Sequence, residues 1–214
     1  MLRFLALGDS YTIGECVDPE ERWPEQWARM VNAQGGNILQ PVTVIAQPGW
    51  TADELMHGID AADPPGSWGL VSLLIGVNNQ YRGRSLENFE AEFRQLAETA
   101  IVLSRDGAQR VQALSIPDWG QTPFGAGCGR DRRQISLEID AYNDCAGAVC
   151  ASLNIAFLDI TALTRRHSKE TGMHAEDGLH PSAQMHHLWA KALLFTKKFG
   201  RLGLRAREKD NNHE

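Results

Sequence analysis

Five short apolar segments divide the chain at regular intervals. They cover residues 2–7, 42–46, 70–77, 111–116 and 155–160. Nearly every position in each segment is apolar, which is typical of strands that are buried on both faces of a parallel sheet. The pattern therefore predicts five strands.

Segments with a helical period lie between and after these strands. Three apolar stripes are formed by Phe89, Phe93, Leu96, Ala97 and Ala100, by Ile135, Ile139, Tyr142, Ala146, Val149 and Leu153, and by Met185, Leu188, Trp189, Ala192, Leu193 and Phe199. Thr51 and Glu54 have the spacing of a capping box, and Ser85 can cap the helix that carries the first stripe. The alternation of strand and helix predicts a parallel α/β sheet with right-handed crossovers and helices on both faces.

Length and composition indicate one domain around one core. The chain has 214 residues, of which 43% are hydrophobic, and no internal repeat or low-complexity linker divides it. We expect the domain to cover residues 1–200. Residues 201–214 are mostly polar, which predicts a solvated and frayed C-terminal tail.

Charge and cysteine content exclude several classes of protein. The net charge is −6, and no run of Lys and Arg is interleaved with aromatic residues, which argues against a nucleic-acid partner. The sequence has no apolar stretch of 18 residues and no signal-peptide pattern after Met1, so we expect a cytoplasmic protein without a membrane span. The four cysteines lack C-x-x-C spacing, which predicts reduced, partly buried thiols: Cys16, Cys128, Cys145 and Cys150.

Four polar fragments follow the predicted strands or lie in the last loop, where a parallel sheet binds its ligands. They are Gly8-Asp9-Ser10, the turn at Gly49, the segment Gly76-Val77-Asn78, and Asp177-Gly178-Leu179-His180. Taken singly, each has an ordinary explanation: a capping serine, a turn glycine, a turn asparagine and a surface aspartate. Together they supply a nucleophile, a base, an orienting acid and oxyanion donors, which acyl transfer requires.

The order of these fragments along the chain resembles the SGNH subset of the GDSL hydrolase family. The resemblance implies a flavodoxin-like three-layer α/β/α sandwich and a serine esterase that needs no metal or other cofactor. It further implies that Ser10 is the nucleophile, His180 the general base and Asp177 its partner. The implied oxyanion hole consists of the Ser10 N–H, the Gly49 N–H and the Asn78 side chain. Two positions depart from the family pattern, because Tyr11 replaces its common leucine and Asn79 its common aspartate.

The substrate is predicted to be a small carboxylic ester. The segment 117–129 after the fourth strand mixes aromatic residues with glycines, which suits the wall of an acyl pocket as well as a plain loop. We expect Tyr11, Trp119 and Phe124 to contact the substrate.

Several alternatives remain open at the level of sequence. The same triad could serve an acetyl-sugar esterase or a thioesterase, and the fold could carry a non-catalytic carbohydrate- or lipid-binding module. A hydrolytic metal site would use the acidic and histidine residues near the C-terminus: His174, Asp177, His180, His186 and His187.

Overall fold

A parallel sheet of five strands forms the centre of the protein in a computed structural model, which describes residues 1–196. The strands are β1 (Phe4–Gly8), β2 (Thr43–Ala46), β3 (Leu70–Leu74), β4 (Val111–Leu114) and β5 (Ala156–Leu158). Their spatial order is β2-β1-β3-β4-β5, and every neighbouring pair is parallel. This is the flavodoxin-like order, so the predicted fold class is confirmed. The predicted tail, 201–214, lies outside the described residues.

Nine α-helices surround the sheet within residues 1–196. They are α1 (Ser10–Ile13), α2 (Trp23–Ala33), α3 (Ala52–Ala62), α4 (Val77–Tyr81), α5 (Leu86–Leu103), α6 (Pro123–Gly127), α7 (Arg132–Ser152), α8 (Thr161–His167) and α9 (Ala183–Leu194). Two 3-10 turns, Gly107–Arg110 and Trp119–Gln121, come before and after β4.

The five predicted strands are present, but the apolar segments are longer than the strands. Segment 70–77 contains β3 only as far as Leu74, and Val77 already begins α4. Strands β1, β3 and β4 are buried at every position, as predicted. The prediction of burial on both faces is wrong for β2 and β5, which are partly exposed because each lies at an edge of the sheet.

The apolar stripes of α5 and α7 face the core, whereas the stripe of α9 is displaced from its predicted position. Leu188 and Ala192 are only half-buried, while His186 and Ala190 are fully buried. Phe199, which ends the predicted stripe, lies outside the described residues. The displacement follows from the packing of α9 against α2, a helix that the sequence pattern did not reveal.

Both predicted helix starts are confirmed. The Thr51 N–H donates to the Glu54 carboxylate at 2.9 Å before α3, and the Asn88 N–H donates to Ser85 Oγ at 3.2 Å at the start of α5. These bonds satisfy donors that have no partner inside the helix. They fix the start of α3, which follows the Gly49 turn.

The four cysteines are free thiols in the structure. Cys150 is buried and Cys128 and Cys145 are half-buried, but Cys16 is exposed, contrary to the prediction of partial burial. No helix within residues 1–196 is long and apolar enough to cross a membrane.

Candidate active site

The four sequence fragments meet beyond the carboxyl ends of the central strands. Strand β1 leads through Asp9 to Ser10, the first residue of α1, and β3 leads to Asn78 in α4. The loop before α9 carries His180 to the same place. A cavity of about 220 Å³ is lined by all three side chains, Ser10, Asn78 and His180.

The remaining walls of this cavity are largely apolar. They are formed by Tyr11, Val77, Tyr81, Trp119, Phe124 and Leu179. The structure thus brings the three predicted substrate contacts, Tyr11, Trp119 and Phe124, next to Ser10. Trp119 is held in place because its indole N–H donates to Gln80 Oε1 at 2.8 Å. A small opening with aromatic walls and a few polar groups is typical of a ligand site.

Asp177 lies behind His180 and fixes the orientation of its ring. Its Oδ2 atom is 2.5 Å from His180 Nδ1, and its Oδ1 atom accepts the backbone N–H groups of Leu179 and His180 at 2.9 and 3.0 Å. Burial raises the pKa of Asp177, but these hydrogen bonds outweigh burial and lower it to about 2. An ionised carboxylate only accepts hydrogen bonds, so the Nδ1 atom that faces Asp177 carries a proton.

Ser10 is nearly buried, with 6% of its surface exposed. Within residues 1–196 its hydroxyl makes no hydrogen bond, and His180 Nε2 lies instead 3.3 Å from Glu15 Oε2. Proton transfer from Ser10 therefore requires the imidazole to exchange Glu15 for the serine hydroxyl. Such bonds are often long or misaligned in the absence of substrate.

Glu15 and Cys16 are neighbours of the site that sequence reasoning missed. Gly14 ends α1 after a single turn with φ of 75°, in the left-handed region that favours glycine, and the chain then bends back toward the last loop. Cys16 Sγ donates to Asp177 Oδ2 at 3.5 Å. Desolvation and this carboxylate raise the pKa of the Cys16 thiol, which makes it a poor nucleophile. A glycine four positions after Ser10 is the sequence signal for this turn.

Of the residues predicted to form the oxyanion hole, Ser10 and Asn78 line the cavity, whereas Gly49 is not among its lining residues. Gly49 has φ of 83°, as the turn interpretation of the sequence expects, and the N–H groups of Ser10 and Gly49 have no acceptor within the described part of the chain. The Asn78 amide donates one hydrogen to the Trp50 carbonyl at 2.9 Å, which leaves its second hydrogen for a ligand in the cavity.

Charged and amide side chains hold these loops together. Arg82 donates to the Gly49 carbonyl at 2.7 Å and pairs with Glu54 at 3.1 Å. Buried Asn79 accepts the Ala52 N–H at 2.9 Å and donates to Glu92 at 2.8 Å. The departure from the family pattern at Asn79 therefore falls on a residue that joins α4 to α3 and α5 rather than on the cavity wall.

The histidines proposed for a hydrolytic metal site go to separate partners. His174, His186 and His187 hydrogen-bond to Ser168, Trp23 and Gln26, respectively. His186 is buried, and burial together with nearby His180 lowers its pKa to about 3. Within residues 1–196 the structure therefore does not assemble the five-residue metal set considered from the sequence.

Asp9 is a buried carboxyl beside the nucleophile and gives a prediction about stability. Its Oδ1 atom accepts the Tyr11 N–H at 3.0 Å, its Oδ2 atom has no partner among the described residues, and burial raises its pKa to about 7. The folded state thus keeps a proton that the unfolded state releases above pH 4, so the stability that this proton confers is lost as pH rises toward 7.

The Asp9→Asn variant lacks this titration. Its free energy of unfolding, measured relative to that of the wild type, should therefore increase between pH 5 and pH 7. At about 1.4 kcal/mol for each pH unit, the gain is on the order of 3 kcal/mol. Urea unfolding at pH 5 and pH 8 measures it, with the exposed Asp60→Asn as the matched control. The same difference from the wild type at both pH values would contradict the raised pKa.

Comparisons with known proteins bear on the family and the fold. A model of the GDSL-like lipase/acylhydrolase family matches residues 6–188. Similar solved structures include a lipolytic protein of the G-D-S-L family from Veillonella parvula, with 18% identity, 91% of this chain and 97% of that chain covered, and a TM-score of 0.71. A lipase/acylhydrolase from Enterococcus faecalis has 21% identity, coverage of 91% and 94%, and a TM-score of 0.67.

An acetylxylan esterase from Geobacillus stearothermophilus has 20% identity, coverage of 90% and 92%, and a TM-score of 0.64. No curated protein matches the chain. The structural neighbours share the fold, and the family model covers most of the sequence. The chain therefore belongs to the GDSL-like lipase/acylhydrolase family and is a hydrolase acting on ester bonds.

Proposed function

We propose that this hydrolase cleaves small carboxylic esters through an acyl-enzyme, with Ser10 as nucleophile, His180 as general base and Asp177 as the acid that orients it. One observation carries the proposal: Ser10 and His180 line the same cavity, and Asp177 bonds the His180 nitrogen on the opposite side of the ring. This arrangement leaves Nε2 to take the serine proton.

The reaction begins when His180 Nε2 removes the hydroxyl proton of Ser10 as the oxygen attacks the ester carbonyl. Asp177 stabilises the imidazolium that forms, because its carboxylate accepts the Nδ1 proton. The imidazolium then protonates the departing alcohol, and the acyl group stays on Ser10. Water enters, loses a proton to the same Nε2 atom and attacks the acyl group; the imidazolium then returns this proton to the Ser10 oxygen as the acid is released.

The negative charge on the carbonyl oxygen is met by neutral donors. The N–H groups of Ser10 and Gly49 and the second amide hydrogen of Asn78 are proposed to bind it. Trp50 supports this role, since its carbonyl already fixes the orientation of the Asn78 amide. Donors that are held in place before the reaction stabilise the transition state without reorganising during it.

Asn78→Ala is expected to lower kcat on the order of 10²-fold to 10³-fold with little change in KM, because the donor acts chiefly on the transition state. Steady-state kinetics and the melting temperature are measured on the same preparation. If Asn78 serves only its turn, the variant will melt earlier and keep its kcat while folded. That pattern would remove Asn78 from the oxyanion hole.

The size of the cavity supports a short acyl group. A volume of about 220 Å³ corresponds to roughly seven water molecules at about 30 Å³ each. Trp119 is buried at one wall, while Phe124 is 38% exposed and lies toward solvent. Acyl carbons beyond the cavity therefore gain little burial.

We expect kcat/KM to increase from p-nitrophenyl acetate to the butyrate and then to level off, with the decanoate no more than about threefold above the butyrate. Each acyl CH₂ that is buried contributes about 0.8 kcal/mol, and carbons that find no space lose this contribution. The control is Phe124→Ala, which shortens a wall residue and should shift the preference toward longer chains. A rate that increases steadily from acetate to the dodecanoate would contradict a short-chain pocket.

An acetyl-sugar esterase is the second candidate, favoured by a groove of about 600 Å³ beside the cavity. Tyr81 lines both, and the groove adds hydrogen-bonding side chains that include Gln80, Arg130 and Glu138. Such a lining suits a polyhydroxylated leaving group. If the groove binds sugars, Tyr81→Ala will lower kcat/KM for an acetylated xylooligosaccharide more than for p-nitrophenyl acetate.

A further inference from the structure

Three different metal-ligating groups lie together at the outer side of the proposed triad. One atom from each of Cys16, Asp177 and His180 lies within 4.8 Å of the other two. A thiol, a carboxylate and an imidazole form a donor set that suits Zn²⁺, which binds sulfur, nitrogen and oxygen ligands. The catalytic steps proposed above do not use Cys16.

The spacing of these atoms is close to that of a tetrahedral zinc site. Zinc bonds of about 2.0 to 2.3 Å place neighbouring ligand atoms roughly 3.3 to 3.6 Å apart. Cys16 Sγ and Asp177 Oδ2 are already 3.5 Å apart. The pair Asp177 Oδ2 and His180 Nδ1, at 2.5 Å, must separate by roughly 1 Å when a metal replaces the proton between them. The third pair, Cys16 and His180, lies within 4.8 Å.

Solvent reaches this cluster. Cys16 is exposed, and 34% of the Asp177 side chain is accessible, compared with 12% for His180. Glu15 lies 3.3 Å from the other ring nitrogen of His180. It can therefore accept a hydrogen bond from that nitrogen while Nδ1 binds a metal. The three ligands leave a fourth position for water.

We propose that Cys16, Asp177 and His180 form an inhibitory Zn²⁺ site. Binding releases the Cys16 thiol proton to solvent, shifts the His180 ring proton from Nδ1 to Nε2, and forms three bonds to the metal, with no change of oxidation state. Inhibition rests on the proposed function, because the metal separates His180 from Asp177 and holds the imidazole as a ligand. Zinc then replaces the hydrogen bond between Asp177 and His180 and does not occupy the site of the ester.

The test compares the wild type with Cys16→Ser after removal of metals with EDTA. The hydroxyl of serine can replace the thiol as a donor to Asp177 but binds zinc weakly, so kcat/KM without metal should stay within about twofold. Added ZnCl₂ should inhibit the wild type reversibly, and Cys16→Ser should need at least about tenfold more zinc for half inhibition. The control is Cys145→Ser, a half-buried thiol on α7, which should respond like the wild type.

Co²⁺ provides a readout that does not depend on activity. The wild type should show a thiolate-to-cobalt charge-transfer band that zinc removes and that Cys16→Ser lacks. Equal zinc inhibition of both proteins, or no thiolate band in the wild type, would overturn the proposal. A band without inhibition would also overturn it as an inhibitory site. Failure of the proposed function is distinguishable, since Ser10→Ala would then keep its activity while the cobalt band is unaffected.

Discussion

Ser10→Ala is expected to lower kcat for p-nitrophenyl acetate by about 10⁵-fold to 10⁶-fold, because the variant has no atom that can form the acyl-enzyme. The fold should survive. The Ser10 hydroxyl makes no hydrogen bond within residues 1–196 and Ser10 is only 6% exposed, so its removal leaves no buried partner unsatisfied and little empty space. We expect the melting temperature to change by no more than about 2 °C.

A fluorophosphonate probe checks the same assignment without a substrate. The wild type should gain one label on Ser10 by mass spectrometry, and Ser10→Ala should gain none. Ser85→Ala is the matched control, because Ser85 caps α5 from an exposed position. Its loss should cost about 1 kcal/mol of stability and leave kcat unchanged. Activity of Ser10→Ala within tenfold of the wild type would contradict the nucleophile, and an unlabelled, inactive wild type would favour the non-catalytic binding module.

The central strands could be predicted from the sequence because burial on both faces leaves a continuous apolar segment. Helix α2 could not. Its core-facing residues include Trp23 and Trp27, but Glu25 and Gln26 between them are also buried. Glu25 accepts the Val42 N–H at 2.6 Å, a partner 17 positions away. A buried carboxylate resembles a surface residue in the sequence, since its partner is fixed only by the folded chain.

The proposed triad could be named from the order of its motifs, while its surroundings could not. Asp177 and His180 are three residues apart, so their contact is local. Glu15 and Cys16 reach them across about 160 positions, and only the short helix that ends at Gly14 directs them there. Arg82 is a similar case, because its bond to the Gly49 carbonyl depends on how α4 packs beside the turn.

Asp177→Asn is expected to lower kcat on the order of 10⁴-fold, because it changes which ring nitrogen of His180 carries the proton. The Oδ1 atom of Asp177 accepts the backbone N–H groups of Leu179 and His180, so the oxygen of an asparagine will keep this position. Its NH₂ group then replaces Oδ2 and donates to Nδ1. Nε2 must carry the ring proton, which Glu15 accepts at 3.3 Å, and it can no longer take a proton from Ser10.

The control for charge is Glu176→Gln, which removes one negative charge from the exposed residue next to Asp177 and should leave kcat within about twofold.

The pKa of Asp177 is about 2, so its carboxylate is ionised across pH 5 to 8. Asp177 therefore contributes nothing to a loss of wild-type activity on acidification in this range. Steady-state kinetics of both variants from pH 5 to 8 measure the effect. If Asp177→Asn kept kcat within tenfold of the wild type at pH 7, Asp177 would not orient the base, and the short bond to His180 Nδ1 would have only a structural role.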